Sequence, residues 1–203
     1  MVKKLSVENP FFDFMGRLGD IVLLNLLFLA FSLPAVTIGA SFTALYQSLE
    51  EMAEGEFISA YRNFTSAFKK HVKTGVRVWL VLLVTGGVLL FDLIYLGSVG
   101  VQGNWGIVSV GVGCLLVLWE MVFCHIFRVL LTEEGKTAEI FKHAMFRAVR
   151  YFPYTLLMMV LNSIPLVCFI VGGALLEFVV PLYLVFGFAA TVFANTFFLR
   201  RYV

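Results

Sequence analysis

Residues 61–95 read YRNFTSAFKKHVKTGVRVWLVLLVTGGVLLFDLIY, and this stretch decides the fold of the chain. Its first half repeats aromatic and apolar residues at spacings of three and four, with basic residues between them, a pattern typical of an amphipathic helix. Its second half is apolar and carries one acid, Asp92. A basic amphipathic segment that leads into an apolar run predicts a helix on a membrane surface followed by a membrane-spanning helix.

The composition of the whole chain supports this interpretation. Hydrophobic residues make up 61% of the sequence and charged residues 14%, whereas soluble domains are roughly 45–50% apolar and about 25% charged. Too few polar residues are present to cover a soluble core. The chain is therefore predicted to be an all-α, polytopic helical membrane protein.

Six transmembrane helices are expected from the apolar stretches. Residues 21–49 carry no charge, and one helix of that length would measure about 43 Å, longer than a hydrocarbon core of about 30 Å. Pro34 and Gly39 lie in the middle of the stretch, which favours two spans over one long kinked span. The predicted spans cover about 17–33, 37–53, 76–98, 105–130, 151–174 and 178–199.

The distribution of basic residues favours six spans over five. With six spans and a cytoplasmic N-terminus, all fifteen Lys and Arg residues fall on the cytoplasmic side, as the positive-inside rule requires. A single span over 21–49 would place the basic cluster of residues 62–77 outside. The sequence thus predicts a multi-pass plasma-membrane protein with both termini in the cytoplasm.

A second basic amphipathic segment occupies about 137–150. The two segments are predicted to form cytoplasmic helices in the membrane interface, with their cations near anionic lipid head groups. Because apolar spans flank them and aromatic residues alternate with the lysines, a membrane surface is a better partner than nucleic acid. The interfacial basic residues are Lys69, Lys70, Lys73, Arg77, Lys142, Arg147 and Arg150.

An internal repeat appears when the sequence is shifted by 77 residues. Phe64 then meets Phe141, and Lys73 meets Arg150. Both units read span, acidic break, basic helix and span, which predicts a parallel repeat about an axis along the membrane normal. The chain is expected to form one transmembrane domain, 1–203, with repeat units at about 37–98 and 105–174 between the spans 17–33 and 178–199.

Several polar residues lie inside predicted spans, where polar groups are costly and often functional. Asp92 falls in the outer half of the third span and Glu120 in the inner half of the fourth, about 10 Å apart in depth. An ion relay or polar cavity is one interpretation, and hydrogen bonding between helices is the other. The candidates are Asp92, Glu120, Asn25, Asn162 and Asn195.

No motif for catalysis, phosphate binding or metal binding occurs in the sequence. Cys114, Cys124 and Cys168 lie in apolar runs with no paired spacing, as packing residues do. The sequence therefore predicts neither an enzyme nor a cofactor.

Residues 9–46, NPFFDFMGRLGDIVLLNLLFLAFSLPAVTIGASFTALY, resemble the start of the YesL-like family, and FDL at 91–93 matches more loosely. These are small bacterial membrane proteins of unknown function. The resemblance implies a gene beside carbohydrate ABC importers, and hence an accessory protein of such a system with permease subunits as partners. A stand-alone transporter or channel that uses the intramembrane acids, and a membrane scaffold or sensor, are the alternatives. The sequence leaves homo-oligomer formation open.

Overall fold

The structure is a computed structural model that describes residues 10–99, 105–133, 135–172 and 174–200. These residues are almost entirely helical and contain no strand, which confirms the all-α fold class. The elements are α1 (Pro10–Ser32), a 3-10 turn (Ala35–Thr37), α2 (Ile38–Glu54), α3 (Ala60–Val99), α4 (Trp105–Thr132), α5 (Thr137–Arg150), α6 (Phe152–Val171), α7 (Ala174–Leu182), a π-helical segment (Tyr183–Gly187) and α8 (Phe188–Arg200).

Four stretches are long and apolar enough to cross a membrane, judged by length and composition: Met15–Ser32, Ala60–Ser98, Gly106–Thr132 and Val179–Phe197. A shorter apolar helix covers Phe152–Pro165. The polytopic membrane class is confirmed, but α2 is not among the candidate spans. The predicted count of six spans is therefore not reached by these criteria in the described residues.

α3 is one uninterrupted helix of 40 residues. At 1.5 Å per residue it is about 60 Å long, twice the thickness of a hydrocarbon core. The prediction that its first part forms a separate helix in the membrane interface is wrong. No proline interrupts residues 60–99, so the helix that starts at Ala60 continues directly into the apolar run.

The aromatic face of the basic half of α3 packs against protein instead of lipid. Phe64 is fully buried. The Phe31 ring of α1 lies 5.5 Å from that of Phe64 and 4.8 Å from that of Phe68. The C-terminal end of α1 thus covers the surface that was predicted to face the membrane.

α2 also lies beside the basic half of α3. Gly39, at its start, lies directly against the backbone of Gly75, and further along α2 Gln47 and Glu51 hydrogen-bond to His71 and Asn63 of α3. The predicted span at 37–53 is thus not among the candidate spans, and α2 packs beside residues 63–75 of α3. Two polar side chains of α2, Gln47 and Glu51, find partners in the basic half of α3.

We call one end of the bundle the basic end. It holds α2, the first half of α3, the last turns of α4, and the whole of α5. α1 runs toward it, because Asn25 contacts residues 183–189 whereas Phe31 contacts Phe64. Most of α2 is buried there. α2 is thus the centre of the packing at the basic end.

The second basic segment does form a helix of its own, as predicted. α5 ends at Arg150, and α6 starts at Phe152 with Pro153 in its first turn. A proline has no N–H for a helical bond and clashes with the preceding turn, so the helix stops and restarts. The first repeat unit has Val76 at the corresponding position, where α3 continues. The internal repeat itself stays a prediction.

Candidate functional site

A cavity of about 170 Å³ lies between α2, α4, α6 and the segment from Tyr183 to Val192. Its wall is mostly aromatic, and four of its side chains carry polar groups: Tyr46, Asn162, Tyr183 and Thr191. The full lining is Phe42, Tyr46, Phe123, Phe127, Leu161, Asn162, Pro165, Tyr183, Phe188, Thr191 and Val192. Such a wall suits a small, largely apolar occupant better than a hydrated ion.

Two of the predicted amides lie next to this cavity. Asn162 donates to the sulfur of Cys124 at 3.3 Å. Asn195 is fully buried and donates to the Tyr46 hydroxyl at 3.4 Å, while its side-chain oxygen has no hydrogen-bond partner in the described residues. These contacts join α4 to α6 and α8 to α2, which is the helix-bridging role expected of amides in membrane bundles.

The third amide, Asn25, holds the π-helical segment of the last span. Its side-chain nitrogen donates to the carbonyls of Tyr183 at 3.2 Å and Leu184 at 2.8 Å. Its oxygen accepts the backbone N–H of Ala189 at 2.9 Å. A π-helix disturbs the regular ladder of helical hydrogen bonds, and one side chain of α1 satisfies the backbone groups concerned. The sequence did not predict this segment, although Pro181 just before it is a signal of helix distortion.

Glu120 lies on a groove between α3, α4 and α6. The groove has a volume of about 700 Å³, and its lining is apolar or glycine apart from Glu120, Asn162 and Ser163. The Ser163 hydroxyl donates to Glu120 at 3.2 Å. No cation pairs with Glu120 among the described residues.

Asp92 lies far from Glu120. Trp119 donates its indole N–H to the Thr85 hydroxyl at 3.0 Å, so these two residues are level on α3 and α4. Asp92 is seven residues beyond Thr85, about 10 Å further from the basic end. It has no hydrogen bond or ion pair with the described part of the chain. The two acids therefore do not form a pair.

A polar network at the basic end was not predicted. Glu50 pairs with Arg128 at 2.8 Å and links α2 to α4. The side-chain oxygen of Gln47 accepts from the His71 ring at 3.0 Å, and its side-chain nitrogen donates to Glu51 at 2.7 Å. Glu50 and Arg128 lie in the last turns of α2 and α4, where charges are normally solvent-exposed, so no local signal indicated that they pair.

A buried histidine makes another contact that sequence reasoning missed. The His125 ring lies 2.8 Å from the Thr155 hydroxyl, which also donates to the Ala148 carbonyl at 2.9 Å. These bonds tie α4 to the junction of α5 and α6. The contacts of His125 are those of a structural residue.

The interfacial basic residues are solvent-exposed, apart from one. Arg147 is half-buried and donates to the Thr132 hydroxyl at 3.1 Å. Arg150 lies over the ring of Tyr151 at 5.6 Å. The others are Lys69, Lys70, Lys73, Arg77 and Lys142. They leave the basic end with a positively charged surface, as anionic head groups or an acidic partner would require.

α5 contributes an exposed apolar face to that surface. Ile140, Ala144 and Ala148 are buried against the bundle. Phe146 and Val149 are 63% and 60% exposed on the outer side of the helix. Within the described residues, no group of three or more His, Cys, Asp or Glu side chains could hold a metal ion.

Comparison with known proteins finds one family similar to part of the chain. Residues 21–93 match the family described as "Protein of unknown function, DUF624". No curated protein and no solved structure matches the chain. The family description names no enzymatic activity. The resemblance seen in residues 9–46 and 91–93 is thus confirmed: the matched part of the chain is similar to the DUF624 family, which includes the YesL-like proteins.

Proposed function

We propose that this membrane protein is an accessory subunit of a carbohydrate ABC uptake system and that it docks through α5. The observation that supports α5 as the docking surface is the exposed pair Phe146 and Val149, on a helix whose other residues are packed or basic. Apolar residues beside cations at the end of a membrane bundle suit contact with another membrane protein or its cytoplasmic subunit. The identity of the partner rests on the family resemblance alone.

We further propose that the basic end faces the cytoplasm of the bacterium, in line with the positive-inside rule. Because α1 ends at the basic end and α2 stays there, a membrane-crossing α1 starts on the opposite face of the membrane. This differs from the sequence-based expectation, which required α2 to cross. The described helices α3, α4, α6 and α7–α8 then return the C-terminus to the cytoplasm. Reporter fusions at the two termini test this: opposite compartments support it, and the same compartment refutes it.

The two alternative functions have less support. A stand-alone transporter would need polar groups that converge on a path, whereas Asp92 and Glu120 are about 10 Å apart along the bundle. The cavity beside Asn162 is small and its wall mostly aromatic. A scaffold without a transport partner would share the docking surface, so only the identity of the partner distinguishes it from an accessory subunit.

The test is purification of the tagged protein from native membranes in mild detergent, with mass spectrometry of the co-purifying proteins. We expect a permease and its ATPase in near-stoichiometric amounts. The double variant F146A/V149A should reduce their recovery about tenfold or more, since apolar anchors at an interface each contribute about 1–2 kcal/mol. The control is V160A, because Val160 is 65% exposed on α6, away from α5.

Two results would count against the proposal in different ways. Recovery of this protein alone, under conditions that preserve a known ABC complex, would refute the accessory role. Full recovery of the partners with the F146A/V149A variant would leave the complex standing and refute α5 as its docking surface.

A further inference from the structure

A polar cavity of about 280 Å³ lies at the basic end, between the first half of α3 and the turn that joins α4 to α5. Its volume is close to the lower end of the range of small-molecule sites, about 300–1,000 Å³. Lys70, His71 and Thr74 line the cavity from α3, and Glu133, the residue after α4, lines it from the turn. The cavity therefore presents charges of both signs, unlike the groove beside Glu120.

The two charges of this cavity do not pair with each other. No ion pair or hydrogen bond joins the Lys70 ammonium group to another residue in the part of the chain that the structure describes. One carboxylate oxygen of Glu133 lies 3.2 Å from the His143 ring, and the other oxygen has no partner among the described residues. A cation and a carboxylate oxygen are therefore both available to a ligand in the cavity.

The Thr74 hydroxyl adds an uncharged donor to the wall. Two other threonines of α3, Thr65 and Thr85, donate to the backbone carbonyls four residues earlier, at 2.6 Å and 2.8 Å. The Thr74 hydroxyl makes no such bond within the described residues. Because Thr74 lies one helical turn from Lys70, its hydroxyl can donate to the same anionic group that the Lys70 ammonium attracts.

The cavity lies where the apolar runs of two helices meet the basic end. Residues 78–91 of α3 carry no charge and start one turn beyond Thr74. Leu130 and Leu131, the last apolar residues of α4, form part of the cavity wall. Lipid head groups lie at this boundary of a spanning helix, where basic side chains are enriched.

We infer that this cavity binds a zwitterionic ligand, whose anionic group contacts Lys70 and Thr74 and whose ammonium group contacts Glu133. Glu133 would repel a simple anion and Lys70 a simple cation, whereas a zwitterion satisfies both charges. The position of the cavity favours the head group of a phospholipid such as phosphatidylethanolamine over a soluble zwitterion of the same chemistry. This site is separate from the α5 docking surface and does not depend on the accessory role.

The test is native mass spectrometry of the full chain in detergent, with phosphatidylethanolamine and phosphatidylglycerol that carry the same acyl chains. Both head groups contain a phosphate, but only phosphatidylethanolamine contains an ammonium group. The other cations of the basic end also attract phosphate, so only the binding that the K70Q variant loses is assigned to the cavity. We expect K70Q to lower phosphatidylethanolamine binding about fivefold, the upper end of what one partly exposed charge pair provides, and to change phosphatidylglycerol binding little.

Two more variants complete the comparison. K69Q removes the same charge from the adjacent exposed lysine, which does not line the cavity, and it should bind phosphatidylethanolamine like the native protein. E133Q keeps the shape of Glu133 but not its charge, so it should lower phosphatidylethanolamine binding without lowering phosphatidylglycerol binding. Equal losses in K69Q and K70Q, equal effects of K70Q on the two lipids, or unchanged phosphatidylethanolamine binding in E133Q would each overturn the inference.

A soluble competitor identifies the source of the head group. Glycerophosphoethanolamine is the same head group without acyl chains, and we expect it to displace the K70Q-sensitive lipid only weakly. Displacement at the same concentration as the lipid would support the zwitterionic site and refute a lipid as its occupant. None of these results bears on the recovery of a permease, so a failure of this inference is distinguishable from a failure of the proposed accessory role.

Discussion

The contact of Asn25 with the π-helical segment permits a quantitative prediction. Replacement of Asn25 by leucine removes two donated bonds, to the carbonyls of Tyr183 and Leu184, and leaves the backbone N–H of Ala189 without its acceptor. Bonds of this kind in membrane proteins average about 0.6 kcal/mol, and a buried donor without a partner costs about 1–3 kcal/mol. We therefore expect N25L to lower the free energy of unfolding by about 2–4 kcal/mol.

The measurement is equilibrium unfolding in mixed micelles, followed by tryptophan fluorescence. The control is L26A on the same helix, since Leu26 is exposed and its truncation removes little packing. We expect this control to stay within about 0.5 kcal/mol of the native protein, as surface substitutions do.

A second substitution tests the hydrogen-bond geometry itself. N25D has nearly the same shape and retains an acceptor for the Ala189 N–H, but it loses the donor and turns an oxygen toward two carbonyl oxygens. It should be destabilised at least as much as N25L. If both variants unfold like the L26A control, Asn25 does not support the π-helical segment and this reasoning is wrong.

Three further experiments test contacts elsewhere in the structure. G75L should lower the free energy of unfolding by about 1–3 kcal/mol through overpacking, because a side chain at this position meets the Ala40 backbone at 2.8 Å. A variant as stable as the native protein would refute the close contact of α2 and α3. A double-mutant cycle with E50Q and R128Q should give a coupling energy on the order of 1 kcal/mol. The pair is largely shielded from solvent, since the side chain of Glu50 is 21% exposed and that of Arg128 is 15% exposed. Additive effects of the two substitutions would contradict a link between α2 and α4. D92N should change stability by less than about 0.5 kcal/mol, because Asp92 has no polar contact in the described residues; a loss of more than about 1 kcal/mol would reveal a partner.

The candidate site was only partly predictable from the sequence. The positions of the buried amides and acids were evident because each interrupts an apolar run. Their partners were not, since Asn25 and Tyr183 are more than 150 residues apart and nothing near either residue indicates the contact. The pairing of Glu50 with Arg128 was missed for the same reason.

The sequence by itself determined the membrane class, the helical content and the family resemblance. These follow from local properties: apolar run length, the 3.6-residue period and the motif at residues 9–46. The sequence also placed the break between α5 and α6, because a proline such as Pro153 removes a hydrogen bond from the helical turn in which it lies.

Only the tertiary structure decided which helices lie side by side. The spacing of apolar residues along α3 gives the helix an apolar face that must be kept from water, but lipid and protein can cover that face equally well. The close contact of Gly39 with Gly75 and the packing of Phe31 on Phe64 show that α1 and α2 cover it. The position of α2 at the basic end, and with it the number of crossings before α3, depends on these long-range contacts and not on hydropathy.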